Sequence, residues 1–199
     1  MRQMLAAVIV TLCTVVTGFA GDGTLSKPDV LGEENVMLTE KLSKNYDTFI
    51  VRDFSTEGAE IVNMNDEEKG KLAEIKPEIV KVLTESIVKH VKKETAFKTV
   101  ASNTTPKGRA VVLEGKFTRF NAGHGAAKFF LGWVAPEGAK TNISVSGRLV
   151  DSVTGKELAT FNDTRSGGEG STMGFVGYVY RVQAKDQGEE IAEFIKELY

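Results

Sequence analysis

The chain contains only two histidines, His90 and His124, and one cysteine, Cys13, so few of its side chains can bind a transition metal or act as a general base. A protein metal site needs three or four converging ligands, and no cluster of histidine and cysteine supplies them. The sequence also has no Gly-x-Ser-x-Gly elbow and no His-Glu-x-x-His pair. We therefore predict no metal site, no cofactor and no assignable catalytic residue.

The most suggestive short motif is Gly123-His124-Gly125, which follows a predicted strand as the dinucleotide-binding fingerprint does. The third glycine position of that fingerprint holds Lys128, and no predicted helix with an acidic residue about 20 positions further on completes it. We interpret the motif as a loop between strands. A histidine beside flexible glycines could act as a general base, whereas His90 is interpreted as a flanking residue of an amphipathic helix.

Two passages are rich in glycine: the first Gly-rich segment, residues 123–138, and the second Gly-rich segment, residues 167–177. The first also contains the aromatic residues Phe129, Phe130 and Trp133. Since most large apolar side chains are buried, the default interpretation is that these rings close one end of the core. If the protein has a partner, we expect these three rings, with the neighbouring His124 and Lys128, to form the partner-binding residues.

The first twenty residues have the features of a secretory signal peptide. Arg2 provides a positive start, residues 5–16 are apolar and uncharged, and Gly18 and Ala20 form the small-x-small pattern of a cleavage site. The apolar run is shorter than the about 20 residues that span a membrane. We therefore expect cleavage after Ala20, export to the periplasm or the medium, and no transmembrane segment in the mature chain.

Cys13 raises the alternative of a lipid anchor, because an acylated cysteine would follow an apolar run. That processing requires a small residue directly before the cysteine, and Leu12 occupies the position. We therefore expect no lipid anchoring at Cys13, and the mature chain then has no cysteine. Without disulfides, the hydrophobic core must hold the fold together.

The overall composition is that of a globular domain, since 41% of the 199 residues are hydrophobic and 26% are charged. The 25 Lys and Arg residues against 27 Asp and Glu give a net charge of -2, which disfavours nucleic acid as a partner. Beyond the signal peptide at residues 1–20, we expect an irregular lead segment at residues 21–45 and a single domain at residues 46–199.

Two stretches have the three-and-four spacing of apolar residues that is typical of an amphipathic helix. The first spans residues 66–94, and Asn65 or Asp66 can cap its start. It contains Pro77, which predicts a kink or two abutting helices. The second stretch spans residues 184–198 and predicts a C-terminal helix with one face packed on a sheet.

Five segments have the composition or the alternation of strands, at residues 47–54, 97–101, 109–121, 141–151 and 156–165. The last two flank a four-residue connection ending in Gly155, so they predict a hairpin. Strict alternation of side chains in the segment at residues 109–121 places Phe117 and Phe120 on opposite faces of the sheet. Because the strands do not alternate with helices, the predicted fold class is α+β. We expect a mainly antiparallel sheet of four or five strands with the long helix and the C-terminal helix packed on it.

The order of these motifs resembles the bacterial domain of unknown function 4410 family. It comprises a strand ending in Asp53-Phe54, a long helix, the strand LEGKFTRF at residues 113–120, the Gly-rich aromatic segment, and the hairpin VDSVTGKEL at residues 150–158. The resemblance implies an exported envelope protein, often lipid-anchored, with no assigned reaction. The chain has Lys128-Phe129 where the family commonly has an Arg-Tyr pair, which weakens an inherited binding role for that segment.

These observations favour a non-catalytic binding or assembly module of the cell envelope, with an envelope protein as its partner. It would use its Gly-rich segments and the edge of its sheet, where unpaired backbone groups can accept another strand. The alternative is a small-ligand-binding or hydrolase-like enzyme with His124, Lys128 and Glu114 around a cleft and His124 as general base. The missing nucleophile motif disfavours that alternative.

Overall fold

A computed structural model describes residue 25 and residues 28–123, 140–167 and 176–199. Within these residues the chain forms seven strands, two helices and a short 3₁₀ helix at Leu42–Lys44. In chain order the strands and helices are β1 (Glu33–Val36), β2 (Thr48–Val51), β3 (Glu60–Val62), α1 (Asp66–Glu94), β4 (Thr99–Ser102), β5 (Val111–Asn121), β6 (Asn142–Asp151), β7 (Glu157–Ser166) and α2 (Val176–Leu198).

The strands form one mixed sheet in the order β1-β7-β6-β5-β2-β4, with β3 pairing with β5 beyond the end of β2. The β1–β7, β7–β6 and β6–β5 pairs are antiparallel, whereas β2–β5, β3–β5 and β2–β4 are parallel. The α+β class is confirmed, but the expected sheet of four or five mainly antiparallel strands is corrected to seven mixed strands. The parallel pairs arise because the chain returns along the sheet twice, through α1 between β3 and β4 and through residues 103–110 between β4 and β5.

Strand β1 lies in the lead segment that the sequence predicted to be irregular. Its residues Glu33 to Val36 pair with Asn162 to Ala159 at the edge of the sheet. The strand has a polar sequence, EENV, without the apolar alternation that identifies a half-buried strand. Pairing at this edge uses backbone hydrogen bonds, which any residue can make, so the composition of the segment did not predict it.

Helix α1 has the predicted bounds, Asp66–Glu94. The Asn65 side chain accepts a hydrogen bond from the Glu68 amide, and the Glu68 carboxylate accepts one from the Asn65 amide, which completes a capping box. The helix continues through Pro77 as one element, so the alternative of two abutting helices was wrong, and the kink stays a prediction. Both Pro77 and Ala73 are exposed, so the carbonyl that loses its helical partner can face water.

Helix α2 begins at Val176 rather than at residue 184, the expected start. Its first turns bury Val179 and Tyr180, and its second half buries Ile191, Phe194 and Leu198. Along its length α2 also packs on α1, where the Ser86 hydroxyl donates a hydrogen bond to the Lys185 carbonyl. No helix in the described part of the chain is long and apolar enough to cross a membrane.

A bulge in β5 overturns the expected alternation of its aromatic residues. The register with β6 shifts between Phe117 and Arg119, so Phe117 and Phe120 are both fully buried and stack with ring centroids 5.2 Å apart. An extra residue in one strand reverses the facing of all residues beyond it. The bulge thereby adds a second phenylalanine ring to the core between the sheet and the helices.

Candidate functional site

The two Gly-rich segments attach to the same end of the sheet, which we call the loop end. The first segment leaves β5 at Gly123 and returns to β6 through Thr141, and the second leaves β7 at Gly167 and leads into α2. Strands β5 and β7 both run antiparallel to β6, so the end of each lies beside the start of β6. The sheet therefore brings the bases of both segments together.

Asn121, the last residue of β5, holds the start of the first segment. Its buried side-chain oxygen accepts hydrogen bonds from the Asn63 amide group at 2.9 Å and from the Gly123 backbone amide at 2.8 Å. Asn63 has a positive φ of 59°, a conformation that asparagine tolerates better than most residues. The turn after β3 and the exit from β5 are thereby tied to one side chain.

Thr141 joins the two ends of the first segment and links them to the second. Its buried hydroxyl donates to the Ala122 carbonyl at 3.0 Å. Its own carbonyl accepts a hydrogen bond from the Gly167 amide at 3.2 Å. The bases of both Gly-rich segments are therefore one hydrogen-bonded unit.

Gln183 of α2 completes this unit from the helix side. Its side-chain nitrogen donates to the Thr141 carbonyl at 2.8 Å and to the Gly167 carbonyl at 2.6 Å. We refer to the seven residues connected in this way as the loop-base network: Asn63, Asn121, Ala122, Gly123, Thr141, Gly167 and Gln183. Such polar groups are costly to bury unless they are paired, so the network specifies the geometry of this end of the fold.

Two further polar side chains of α2 lie next to the loop-base network. The Tyr180 ring packs edge-on against Phe120 with centroids 5.6 Å apart, and burial raises the pKa of its hydroxyl well above the usual range. One turn beyond Gln183, the Gln187 side chain donates to the Asp163 carboxylate at 2.7 Å. The same carboxylate accepts the Gly32 amide at 2.8 Å, so this contact ties α2 to the entry of β1.

A second polar cluster lies at the opposite end of the sheet, at the β6–β7 turn. The buried Asp151 carboxylate accepts hydrogen bonds from the Val153 and Thr154 amides, the Arg109 guanidinium and the Tyr46 hydroxyl, at 2.7 to 2.9 Å. Burial acts to raise the pKa of Asp151, but these hydrogen bonds outweigh it and hold the pKa well below its usual range. A permanently ionised carboxylate with this set of donors fixes the turn, and we assign it a structural role.

The outer face of the sheet, away from the helices, carries Glu114, the acid that the enzymatic hypothesis paired with His124. Glu114 lies in the middle of β5 and accepts a hydrogen bond from Arg148 at 2.9 Å, and Arg148 also contacts Glu157 at 3.2 Å. A shallow groove of about 480 Å³ runs over these side chains and Lys116. Glu114 therefore takes part in a group of solvent-exposed ion pairs in the middle of β5.

The predicted partner-binding residues His124, Lys128, Phe129, Phe130 and Trp133 all lie outside the described residues. The prediction for these side chains therefore stays a prediction. Among the residues that the structure does describe, no group of three or more His, Cys, Asp or Glu side chains could hold a metal ion.

The other histidine, His90, is partly buried where the flank of α1 meets α2. Its Nδ1 lies 3.5 Å from Glu94 on the same helix, and its Nε2 lies 3.3 Å from Glu189 of α2. A flanking position on the helix is what the sequence predicted.

The sequence analysis did not single out Asn121, Thr141 or Gln183. Polar residues of these types are mostly exposed, so they give no signal when they are read one at a time. Gln183 and Gln187 do, however, share the helical spacing of Tyr180, Ile191 and Phe194. A polar residue at a position of the apolar face is the signal that could have identified them.

A family model described as "Domain of unknown function (DUF4410)" matches residues 49–171, more than half of the chain. The matched residues include β2 to β7, α1 and the first Gly-rich segment, and they end within the second Gly-rich segment. No curated protein matches the sequence.

Three solved structures match this chain at low sequence identity. A PelC dodecamer from Paraburkholderia phytofirmans is 11% identical, covering 80% of this chain and 94% of that chain with a TM-score of 0.44. A DUF330 protein from Xanthomonas campestris is 9% identical, with coverages of 73% and 81% and a TM-score of 0.43. The lipoprotein GNA1162 from Neisseria meningitidis is 17% identical, with coverages of 68% and 92% and a TM-score of 0.26.

Proposed function

The chain belongs to the family described as Domain of unknown function (DUF4410), and from this membership we propose that it is an exported, non-catalytic binding or assembly module of the bacterial cell envelope. In this proposal its binding surface is the loop end, and its partner is an envelope protein. The candidate contact residues are Phe129, Phe130 and Trp133 with the neighbouring His124 and Lys128.

The observation that carries the proposal is the convergence of both Gly-rich segments on one buried hydrogen-bond network. Binding residues are found disproportionately on loops that a rigid scaffold positions. Here α2 and three strands hold the bases of both segments through Asn121, Thr141 and Gln183. Aromatic rings, tryptophan above all, are enriched among the residues that dominate binding energy at protein interfaces. A scaffolded segment with three such rings supports a binding role.

Export is supported by the sequence of residues 1–20 and by the position of the chain's single cysteine. Cys13 lies within the segment that signal peptidase would remove. We expect N-terminal sequencing of the protein recovered from cells to begin at Gly21. A mature protein that begins with a lipid-modified Cys13 would instead place it on a membrane surface and contradict cleavage after Ala20.

The binding role is tested by replacing Trp133 with Ala. We expect the variant to lose about tenfold or more of the envelope protein recovered by the tagged wild-type chain, because a buried interface tryptophan contributes about 2 kcal/mol or more to binding. The free energy of unfolding is expected to stay within about 0.5 kcal/mol of the wild type, as for a residue outside the core.

The matched control is Val153→Ala at the tip of the β6–β7 turn, since Val153 is 68% exposed and lies at the other end of the sheet. This variant is expected to recover the partner as the wild type does. A Trp133→Ala chain that keeps its partner and loses about 3 to 5 kcal/mol of stability would identify Trp133 as a core residue and contradict the proposal.

A further inference from the structure

Strand β4 is the last strand at one edge of the sheet in the part of the chain that the structure describes. The amides of Thr99 and Asn103 donate to carbonyls of the β2 segment at 3.2 and 2.8 Å, so every second residue of β4 directs its backbone groups at β2. The residues between them, Val100 and Ser102, direct their N–H and C=O groups to the open side. Among the described residues, these groups have no hydrogen-bond partner.

The opposite edge of the sheet, β1, is protected in a way that β4 is not. Two of the four residues of β1, Glu33 and Glu34, are charged, and charged side chains on an edge strand oppose pairing with another strand. Strand β4 has the sequence Thr-Val-Ala-Ser, which contains no charge and no proline. Of these two edge strands, β4 is therefore the one suited to accept a further strand.

An apolar row crosses the outer face of the sheet and ends at the β4 edge. It consists of residues paired in register across β6, β5, β2 and β4: Val150, Val112, Ile50 and Ala101. The first three are 8%, 5% and 2% exposed, whereas Ala101 is only partly buried. An apolar residue placed beside Ala101 would complete its burial and extend the row.

We propose that the β4 edge is a dimer interface, at which β4 of a second copy of this chain pairs antiparallel about a two-fold axis at Ala101. In this register Val100 lies opposite Ser102 of the second copy and exchanges both backbone hydrogen bonds with it. The symmetry repeats the same pair on the other side of the axis. Ala101 lies opposite Ala101 of the second copy, so the two apolar rows join into one across the dimer.

A second copy meets the requirements of this edge by its own chemistry. The outward donors and acceptors of β4 are complementary to themselves when the strand is turned by the two-fold axis. The residue that the copy brings beside Ala101 is apolar, as the end of the row requires. The nearest charged side chain, Lys98, pairs with Asp47 at 2.6 Å, and the two Lys98 side chains lie at opposite ends of the paired strands, so like charges do not meet.

The interface is short, because Asn103 has a φ of 53° and ends the extended backbone of β4. An interface of this size predicts dissociation in the micromolar range. The inference goes beyond the proposed function, since dimer formation at β4 does not depend on what the loop end binds.

Disulfide crosslinking tests the proposed register. The chain has one cysteine, so a Cys13→Ala background contains no thiol. In that background Ala101→Cys places one thiol of each copy at the axis, where a Cα separation of about 4.5 Å lies within the range of a disulfide. Asn35→Cys is the matched control, because Asn35 has the corresponding position in the β1 edge and is more exposed than Ala101. Chance collisions therefore favour the control.

We expect Ala101→Cys to form disulfide-linked dimers at least about tenfold faster than Asn35→Cys at the same protein and oxidant concentrations. Adding Ser102→Lys to Ala101→Cys is expected to slow crosslinking by roughly tenfold, because a charge on the edge opposes pairing. The urea midpoint measures whether this variant stays folded. Equal crosslinking rates at positions 101 and 35 would overturn the dimer, and this comparison decides the question even if Ser102→Lys destabilises the chain. A rate that a folded Ser102→Lys variant leaves unchanged would overturn it as well.

Discussion

Replacing Phe194 with Asp is expected to remove at least about 4 kcal/mol from the free energy of unfolding, which is a large part of the about 5 to 15 kcal/mol of an ordinary domain. Phe194 is fully buried in α2, and its ring packs edge-on against Phe161 of β7 with centroids 5.7 Å apart. The substitution deletes this contact and places a carboxylate among apolar side chains, where burial of a charge is very unfavourable. The loss is measured by urea unfolding followed by circular dichroism.

Glu193→Gln provides the control for this experiment. Glu193 neighbours Phe194 on the same helix but is partly exposed and pairs with Lys196 at 2.6 Å. Its replacement is expected to change stability by less than about 0.5 kcal/mol, as surface ion pairs usually do. If Phe194→Asp unfolds at the same urea concentration as the wild type, α2 is not docked on the sheet and the loop-base network cannot exist as described.

Replacing Gly147 with Val is expected to cost about 3 kcal/mol or more, although valine has the higher intrinsic preference for strands. Gly147 lies opposite Gly115 in the β5–β6 pair and under the ring of Phe161. A Cβ at this position would lie 2.8 and 2.9 Å from two carbons of that ring and closer still to a third. The ring also packs against Phe194, so moving it away from Gly147 disturbs a second core contact.

A paired substitution shows whether this clash is the cause. In a Phe161→Ala background the space above Gly147 is free, so Gly147→Val is expected to cost much less than in the wild type. Gly70→Ala on α1, where an added Cβ meets nothing within 4 Å, is expected to stabilise the chain by up to about 1 kcal/mol. Equal costs of Gly147→Val in the two backgrounds would contradict the packing explanation.

The elements that the sequence predicted well are those that local interactions determine. The capping residue and the apolar spacing of α1 are properties of neighbouring residues, and the helix has the predicted bounds. The β6–β7 hairpin likewise depends on two adjacent segments and the short connection before Gly155. Its observed strand bounds differ from the predicted ones by one residue at three ends.

The elements that the sequence did not predict depend on distant parts of the chain. Strand β1 exists because the edge of β7 is available and because Asp163 accepts the Gly32 amide, and neither fact is visible in the sequence EENV. The parallel pairs of β2 and β3 with β5 depend on where α1 and then residues 103–110 return the chain. The bulge beside Phe117 is set by packing against Phe120, which alternation does not describe.

The candidate site was predictable only in part. Glycine and aromatic content singled out the two Gly-rich segments, but the side chains that hold their bases are ordinary polar residues. Asn121, Thr141 and Gln183 become informative once the fold shows that all three are buried and bonded to the backbone of the segments. Buried polar residues act through distant partners, and sequence spacing does not reveal those partners.

The most direct test of the account is photo-crosslinking in cells that make the full chain, with a photoreactive amino acid in place of Trp133 or, separately, of Val153. Strand β6 separates the base of the first Gly-rich segment, which contains residue 133, from the β6–β7 turn by about 30 Å. We expect irradiation to give a defined adduct with an envelope protein from position 133 and none from position 153. An adduct from position 153 with none from position 133 would contradict the assignment of partner binding to the loop end.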